Sequence, residues 1–366
     1  MNNQRIRVGI LFGGKSAEHE ISLLSAKNVI DAIDKSKYQP VLIGIDKSGR
    51  WLMNEPSNML LNTGNPKLIA LNKADSESVT LAPQSEGKLV KLDSGAIGQT
   101  VDVVFPILHG PLGEDGTIQG LLKLAGVPFV GAGVLGSAVG MDKDVMKRLL
   151  RDAGIPVSKF QVFRRGETID FESVTRELGL PVFVKPANLG SSVGISKTKD
   201  KAEFEKAVRV AFRYDSKILI EETIKGREIE CAVLGNESPQ ASVPGEIVPN
   251  HEFYSYDAKY IDENGARLEA PAQLDTDTVT RVQALAIRTF KTLNCEGMGR
   301  VDLFLKSDGS LLVNEINTIP GFTRISMYPR LWALSGLSYT DLISRLIQLA
   351  MERFAHEQTL STTHED

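Results

Sequence analysis

The chain has 366 residues, of which 42% are hydrophobic and 24% are charged, and its formal net charge is −4. This length is typical of about two or three domains, and the composition is that of a soluble globular protein. Because the sequence has no block of five or six basic residues, nucleic acid is excluded as the expected partner.

Cysteine content and the N-terminal sequence indicate the cellular compartment. Cys231 and Cys295 are too few for a disulfide framework, and neither lies in a CxxC motif. The first residues lead into a strand pattern without the apolar stretch and cleavage site of a signal peptide. No apolar run approaches the ~20 residues needed to cross a bilayer. We therefore expect a protein of the reducing cytoplasm.

The N-terminal residues predict a βαβ unit of an α/β domain. Arg7–Phe12 and Val41–Asp46 have strand patterns, and Ser22–Ile33 has the spacing of an amphipathic helix. Residues 9–16, GILFGGKS, formally match the phosphate-loop pattern GxxxxGK[ST]. That loop must lie between a strand and a helix, whereas here its first residues belong to the strand. A phosphate-loop NTPase using Lys15 is therefore the competing hypothesis, and it is not favoured.

The next strand leads to a candidate binding loop. Loops and short hairpins are expected over residues 55–100, followed by a strand at Val101–Leu108. The strand ends in His109–Gly116, a polar loop rich in glycine. Open α/β sheets bind ligands at the carboxyl ends of their strands, so His109 is a candidate site residue. The alternative is an ordinary loop histidine.

The small residues Gly131–Gly140 are expected to form a flexible hinge, with a domain boundary near Gly140 and a helix at Asp142–Ala153. Beyond the helix a strand delivers Lys185 to a loop rich in glycine and serine, Gly190–Gly194. Backbone amides and hydroxyls of such a loop can bind an anion, and lysine adds a point charge for phosphate. A plain hairpin turn is the alternative for this segment.

The remaining elements outside the last hairpin follow from periodicity. His251–Leu268 has no countable period and is expected to be a functional lid. Helices are expected at Ala202–Arg213, Thr276–Thr292 and Asp341–Phe354, and a strand at Ile218–Glu222. Two segments, Gly226–Glu230 and Cys231–Leu234, are expected to begin the third region.

Residues 298–321 predict the hairpin around which the chain is organised. Strands at Arg300–Leu305 and Leu311–Asn317 flank Asp308-Gly309, a strong signal for a two-residue turn. With that turn, the numbers of cross-strand partners sum to 617.

This register places four polar side chains on one face of the hairpin. Asp302 lies opposite Glu315, and Arg300 lies opposite Asn317. Like charges directly opposed are destabilising, so two carboxylates and an amide oxygen here indicate a bound cation. Oxygen ligands of this kind suit Mg²⁺, which is usually held together with substrate phosphates. A solvated face of an edge hairpin is the alternative.

Six motifs resemble, in order, those of the D-alanine–D-alanine ligases, a family of the ATP-grasp superfamily. They are GGKSAEHEIS (13–22), HGPLGEDG (109–116), KPANLGSSVG (185–194), YDAKY (256–260), GMGRVD (297–302) and NEINTIPGFT (314–323). The resemblance implies a three-domain ATP-grasp fold of the α/β (α+β) class. An open parallel α/β domain would span residues 1–140, and two α+β domains that sandwich ATP would span residues 141–230 and 231–366.

The resemblance also implies the reaction. ATP would phosphorylate the carboxylate of one D-alanine, and the amine of a second D-alanine would displace phosphate from the acyl carbon, giving a peptidoglycan precursor. Two Mg²⁺ ions, with Mn²⁺ as a possible substitute, would be held by Asp302, Glu315 and Asn317. The family commonly forms homodimers through the N-terminal domain, so a homodimer is expected.

The resemblance assigns nucleotide-binding roles residue by residue. Lys143, Lys185 and Lys259 would contact phosphate beneath a lid that includes Ser191 and Ser192. Glu221 and the Ile224 backbone would meet adenine, and Glu228 would bind the ribose hydroxyls. The nucleotide set is completed by Glu222, Phe304 and Asn314. Thr223 departs from the tryptophan of some relatives, so the resemblance does not define how adenine packs there.

For the amino acids, Glu18 would bind the first ammonium group, with His109 beside it. Arg300 and the Gly321 amide would stabilise the developing oxyanion. Ser326 would bind the second carboxylate, with Met327 next to it.

The resemblance also implies a second set of residues, which closes a lid over the site. Closure matters because water would hydrolyse an acyl phosphate. Ser191, Tyr260 and Glu18 would form a hydrogen-bonded group over the site. Tyr260 favours the dipeptide over a D-alanine–D-lactate product, which stays open as an alternative, as do other carboxylate–amine ligations. An ATP-binding regulator without catalysis is a further alternative, disfavoured by Arg300 and Glu18.

Overall fold

The computed structural model describes residues 5–361 except for 55–57, 64, 66–67, 75, 191, 250–265 and 324. Within these ranges the strands form three larger sheets and one small two-stranded sheet. No helix in the described ranges is both long enough and apolar enough to cross a membrane. Ser191, Lys259 and Tyr260, with most of the expected lid, lie outside the described residues.

The first sheet begins with the expected βαβ unit. Strand β1 (Ile6–Gly13) pairs in parallel with β2 (Tyr38–Ile45) and with β9 (Val103–Ile107), and helix α1 (His19–Ala32) joins β1 to β2. Strand β1 is buried because its central residues are apolar on both faces, as is typical of a parallel strand covered on two sides. The α/β prediction for this region is confirmed.

Short antiparallel strands extend this sheet, as expected for residues 55–100. The sheet order is β8-β7-β6-β3-β2-β1-β9, while β4 and β5 pair only with each other. The short strands are β3 (Trp51–Met53), β4 (Leu60–Leu61), β5 (Ala70–Leu71), β6 (Glu77–Leu81), β7 (Lys88–Lys91) and β8 (Ile97–Thr100).

The expected hinge at Gly131–Gly140 is wrong, because most of this stretch is helix. After α2 (Thr117–Leu124), helix α3 (Val134–Met141) leads directly into α4 (Lys143–Asp152). Small residues allow close packing here: a Cβ on Gly136 would lie 2.5 Å from the carbonyl oxygen of Asn294. Asp142 divides the two helices: it caps the N-terminus of α4, where its carboxylate accepts hydrogen bonds from the amides of Asp144 and Val145.

The second sheet is antiparallel, in the order β10-β13-β11-β12. Its core combines the apolar faces of its two helices with alternate residues of its strands, including Val182, Val184 and Phe204. Its elements are β10 (Phe160–Arg164), α5 (Phe171–Leu178), β11 (Val182–Pro186), β12 (Ser196–Thr198), α6 (Lys201–Tyr214) and β13 (Lys217–Glu222).

The third sheet carries the predicted hairpin, in the order β17-β16-β14-β18-β19, with β15 paired to β14. Strand β14 (Gly226–Gly235) is continuous through residue 230, where two separate segments were expected. The other elements are β15 (Gln240–Ala241), β16 (Gly245–Pro249), β17 (Ala266–Glu269), α7 (Thr276–Thr292), β18 (Gly297–Lys306), β19 (Leu311–Asn317), α8 (Met327–Leu334) and α9 (Tyr339–Glu357).

The hairpin register is as predicted at the site and different at the turn. Arg300 lies opposite Asn317 and Asp302 opposite Glu315, but from Leu303 onward the partner numbers sum to 616. The predicted two-residue turn is therefore wrong: the amide of Lys306 bonds the carbonyl oxygen of Ser310, which leaves a three-residue loop. A β-bulge between the two registers restores the predicted pairs.

The first and third sheets share one core. A single cluster of buried side chains joins residues of β1, α1 and β9 to residues of β14, α8 and α9. Arg353 of α9 strengthens this contact, because its guanidinium donates to the carbonyl oxygens of Phe129 and Gly131. The segment that follows β19 is thus held against the first sheet.

Candidate active site

A buried chain of alternating charges joins the two inner strands of the second sheet to α4. The Nζ of Lys185 on β11 is 2.7 Å from Oε2 of Glu221 on β13, and the Nζ of Lys147 on α4 is 3.3 Å from Oε1. Lys147 also donates to the hydroxyl of Ser158 at 3.0 Å. Lys147 is fully buried and was not predicted from the sequence, where it resembles any other charged residue of an amphipathic helix.

The pKa values of Glu221 and Lys185 show that opposite charge outweighs burial at these two residues. Burial alone would raise the pKa of Glu221, but Lys147 and Lys185 lower it to about 2. Burial would also lower the pKa of Lys185, but Glu221, Glu315 and Glu228 raise it. For Lys147 burial prevails and its pKa is lowered. Lys185 is therefore a cation at neutral pH, close to the carboxylates of the third sheet.

The open face of β18 and β19 brings together the polar residues that the sequence predicted. The guanidinium of Arg300 makes two 2.8 Å hydrogen bonds to the Asp302 carboxylate, and its Nη2 lies 3.2 Å from Glu230 on β14. The side-chain amide of Asn317 donates to Asp302 at 2.9 Å. Glu230, directly opposite Asp302 in the β14–β18 ladder, was missed because nothing local to β14 reveals this pairing.

Cations from neighbouring residues balance the opposed carboxylates of this face. Asp302 is paired with Arg300, and the Nζ of Lys143 on α4 is 3.5 Å from Glu315. Lys143 also donates to the carbonyl oxygen of Leu189 at 2.6 Å, which ties α4 to the Gly/Ser-rich loop. The carboxylates are thus not left to repel each other across the hairpin.

The donor set on this face fits Mg²⁺. Asp302, Glu315 and Asn317 offer carboxylate and amide oxygens, and all three side chains are partly exposed. No group of three or more His, Cys, Asp or Glu side chains is placed to hold a metal within the described ranges. Two carboxylates and one amide are too few to enclose an ion, which suits a cation that keeps water and phosphate oxygens as ligands.

The nucleotide residues assigned by resemblance lie around the same face. Glu228 lies opposite Phe304 in the ladder, two positions from the Glu230–Asp302 pair, so it shares their face. The bulge places Asn314 and Glu315 together on the partly exposed side of β19. Ile224 lies in the connection between β13 and β14.

Two further assigned residues lie at the margins of this region. The carboxylate of Glu222 accepts a hydrogen bond from the Lys159 amide at 2.7 Å, so it also fastens β13 to the start of β10. Ser192, in the loop between β11 and β12, has a left-handed backbone with φ 60°. This loop spans residues 187–195, longer than the plain turn that was the alternative.

Glu18 is buried where two loops converge. It immediately precedes α1. A Cβ atom added to Gly110 would lie only 2.8 Å from Oε2 of Glu18, and one added to Gly190 would lie 3.2 Å from it. Glycine at both positions therefore lets the loop after β9 and the Gly/Ser-rich loop approach this carboxylate. The structure brings Glu18 to the predicted loop at Gly190.

The phosphate-loop alternative is wrong. The amide of Gly13 donates to Ser22 Oγ at 2.7 Å, and the amide of Gly14 donates to the Ile45 carbonyl oxygen at 2.8 Å. These amides hold the chain turn together rather than point at a ligand. Lys15 is exposed.

His109 is buried, with both ring nitrogens in contact with protein atoms. Nδ1 lies 3.1 Å from the carbonyl oxygen of Ile319, and Nε2 lies 3.3 Å from Ser25 Oγ. Burial lowers the pKa of His109 despite the opposing effects of Glu18 and the Ile319 carbonyl. Its position at the carboxyl end of β9 is as predicted, but its Nδ1 faces the segment after β19 and its Nε2 faces Ser25 of α1.

Glu114 lies close to Glu18 and His109 and was not predicted from the sequence. Its carboxylate accepts hydrogen bonds from the amides of Gly110 at 2.6 Å and Ile319 at 3.2 Å. Burial, followed by the charge of Glu18, raises the pKa of Glu114 to about 8, although those amides and Lys143 oppose the shift. The HGPLGEDG motif contained the signal, since a carboxylate in a glycine-rich loop can accept from several amides.

We expect this shift to make stability depend on pH. The pKa of Glu114 rises from 4.5 to about 8 on folding, so the native state binds the extra proton between these values. Stability must therefore fall as pH rises through this window. Between about pH 5 and pH 8, urea unfolding should show Glu114→Gln losing less stability than the parent protein, by at least ~1.4 kcal/mol, the value of one pKa unit. Equal losses in the two proteins would contradict the assignment.

The segment after β19 contains the other predicted substrate residues. A Cβ on Gly321 would lie 2.8 Å from Ser326 Oγ, so these two groups are adjacent. Ser326 Oγ also accepts from the Thr323 amide at 3.0 Å. Met327 is buried, and its sulfur packs so closely on Gly245 that a Cβ atom added to this glycine would lie 2.8 Å from it. The side chain of Met327 is therefore part of the core. Only its backbone can take part in the expected substrate contact.

Comparisons with known proteins identify the family to which this chain is similar. A family model described as "D-ala D-ala ligase N-terminus" matches residues 7–132, and one described as "D-ala D-ala ligase C-terminus" matches residues 149–348. The chain is 58% identical over 360 residues to a D-alanine–D-alanine ligase of Shouchella clausii, with 98% of each chain covered.

Two solved structures are similar to this chain along nearly its whole length. The D-alanine–D-alanine ligase of Coxiella burnetii has a TM-score of 0.86 and 40% identity, covering 97% of this chain and 96% of that one. The VanG D-Ala:D-Ser ligase of Enterococcus faecalis has a TM-score of 0.81 and 37% identity, covering 95% and 100%. Matches of this extent show the family as well as the fold, and the chain belongs to the D-alanine–D-alanine ligase family.

Proposed function

We propose that the protein is an ATP- and Mg²⁺-dependent ligase that joins two D-alanine molecules through an acyl phosphate. The observation that carries the proposal is the face of β18 and β19, where Asp302, Glu315 and Arg300 lie near Lys143 and Lys185. Phosphoryl transfer requires charge neutralisation and positioning more than covalent help from the protein, and these residues supply both.

ATP would bind between the second and third sheets. Lys185 and Lys143 would contact the phosphates, with Ser191, Ser192 and Lys259 closing over them. Adenine would lie at Glu221, Glu222 and the Ile224 backbone, and Glu228 would bind the ribose. Phe304 and Asn314 would line the nucleotide site on the side of the third sheet. Their place on the same face of the hairpin as Asp302 supports this role.

Asp302, Glu315 and Asn317 would hold two Mg²⁺ ions, for which Mn²⁺ could substitute. When bound, such ions neutralise phosphate charge and align the transferred group. The Arg300 guanidinium, held by Asp302 and Glu230, has a fixed orientation, which suits a donor to the negative charge that develops on the acyl oxygen.

Glu18 would bind the ammonium group of the first D-alanine. The Gly321 amide would assist Arg300 at the oxyanion, and Ser326 with the Met327 backbone would bind the carboxylate of the second D-alanine. Tyr260 and Ser191 would complete the lid with Glu18. The approach of Gly190 to Glu18 supports this arrangement.

The product would serve peptidoglycan synthesis in the cytoplasm. We propose a homodimer, to which the exposed Leu124, Val134 and Leu135 on the adjacent helices α2 and α3 could contribute.

We also propose three domains divided near residues 140 and 230. The second boundary would lie in the connection 223–225, because residue 230 lies inside β14.

The test is ADP release with ATP and Mg²⁺, comparing D-alanine alone, L-alanine, and D-alanine with D-lactate or with D-serine. We expect turnover with D-alanine alone and a dipeptide identified by mass. The D-serine comparison matters because one structural relative is a D-Ala:D-Ser ligase. Activity only with D-lactate or D-serine as second substrate would retain the reaction type and overturn the dipeptide assignment.

A further inference from the structure

We propose that Glu114, His109 and Ser25 form a clamp that positions the segment Ile319–Phe322, and with it the Gly321 amide. The proposal rests on the proposed function, since it concerns how the oxyanion donor is held. It makes His109 a positioning residue instead of a substrate contact.

The first part of the clamp is a bridge made by the carboxyl group of Glu114. Glu114 accepts one hydrogen bond from the amide of Gly110 and one from the amide of Ile319. The first amide belongs to the loop after β9 and the second to the segment after β19. One half-buried side chain thus fixes the distance between a loop of the first sheet and a loop of the third.

The second part is a directed hydrogen-bond relay. The Ile319 carbonyl can only accept, so Nδ1 of His109 must donate to it, and Nε2 of the neutral ring must then accept. The Ser25 hydroxyl therefore donates to Nε2, at 3.3 Å, and its oxygen accepts from the Phe322 amide, also at 3.3 Å. The relay has one consistent direction from Phe322 to Ile319.

Together these contacts hold both ends of a four-residue segment. The clamp engages the amide and carbonyl of Ile319 and the amide of Phe322, and it does not engage the amide of Gly321. Beyond the clamp, Tyr339 donates to the Phe322 carbonyl oxygen at 2.7 Å, and the buried Phe322 ring packs edge-on against Phe105. The Gly321 amide therefore lies between two fixed points.

Such fixation matters for catalysis because an oxyanion donor must be in place before charge develops. Removing one donor of this kind typically costs 10²–10³ in kcat, and a displacement of about 1 Å can cost about 10²-fold. All three clamp side chains come from the region of the first sheet, whereas Gly321 follows β19. The first sheet region thus completes a catalytic element of the third.

The test compares Glu114→Gln and Ser25→Ala with Asp115→Asn. Glutamine turns an NH₂ donor towards one of the two amides, whereas both oxygens of the Glu114 carboxyl group can accept in either protonation state, so the bridge is broken at one end. Asp115 is the matched control, because it bonds the amides of Leu112 and Thr117 within the same loop and does not contact the segment after β19. Each variant is measured as the full chain, with active sites counted by ATP binding.

We expect Glu114→Gln and Ser25→Ala each to lower kcat by about 10–100-fold with KM for ATP within about twofold, and the double variant to lose less than the product of the two. A merely structural role would lower the folded fraction and leave kcat per active site unchanged. Wild-type kcat in both variants, or an equal loss in Asp115→Asn, would overturn the proposal.

Amide hydrogen exchange separates this proposal from the proposed function. In the absence of substrates, Glu114→Gln should speed exchange in peptides covering residues 319–322, and Asp115→Asn should not. Unchanged exchange in Glu114→Gln would overturn the clamp even in an active enzyme. Conversely, a parent protein that is inactive with D-alanine would refute the function while the exchange result still decides the clamp.

Discussion

Asp302→Asn is expected to remove turnover while the fold is retained. The substitution keeps the shape of the side chain and removes one of the two carboxylates available to a cation on the β18–β19 face. Metal ions supply several kcal/mol to phosphoryl transfer and each 1.36 kcal/mol is tenfold in rate, so we expect kcat to fall by about 10³-fold or more. Arg300 keeps Glu230 as a partner, which limits the loss of stability.

The measurement is kcat as a function of Mg²⁺ concentration, together with the urea unfolding curve. Asp308→Asn is the matched control: it makes the same change in the loop of the same hairpin, where Asp308 is exposed and accepts from the Ser310 amide. Loss of folding in Asp302→Asn alone would mean that the residue is structural. Full activity at saturating Mg²⁺ would place the metal elsewhere.

Lys185→Met is expected to cripple the use of ATP. Methionine keeps most of the apolar stem and removes the charge that faces Glu315 and Glu228. A charge-assisted hydrogen bond is worth about 1.5–3 kcal/mol, so KM for ATP should rise about 10–100-fold, with a further fall in kcat. Glu221 retains Lys147, so the variant does not leave a buried carboxylate without a counter-ion.

Lys15→Met is the comparison for this experiment. Lys15 is exposed, and the amides of Gly13 and Gly14 before it are used within the fold. ATP binding and turnover should therefore be unchanged in this variant. A loss of ATP binding in Lys15→Met with none in Lys185→Met would reverse the assignment of the nucleotide site.

The hairpin shows which features of the site can be predicted from the sequence and which cannot. Alternation along the strands defines which residues share a face, so the amino-acid sequence alone groups Asp302, Glu315 and Asn317. The turn could not be fixed in the same way, because Asp-Gly also suits the three-residue loop observed, with Gly309 at φ 78°. The bulge compensates for the extra turn residue, and its position depends on packing across the sheet.

Other parts of the site depend on contacts distant in the sequence. Glu230 meets Arg300, Lys147 meets Glu221, and Glu114 meets Ile319, separated by up to 205 residues. No local pattern distinguishes such a partner from a charged residue on a solvated surface. The helix at Val134–Met141 shows the converse: its glycines resemble a linker in sequence, yet they allow close packing.

The decisive measurement is the fate of oxygen in the reaction. D-alanine labelled with ¹⁸O in its carboxylate is turned over with unlabelled ATP in ordinary water, and the released phosphate is analysed by mass. If the carboxylate attacks ATP to form an acyl phosphate, each phosphate should carry one ¹⁸O from D-alanine, in step with dipeptide formation. Phosphate without label would mean that water attacks ATP, and it would contradict an acyl phosphate at this site.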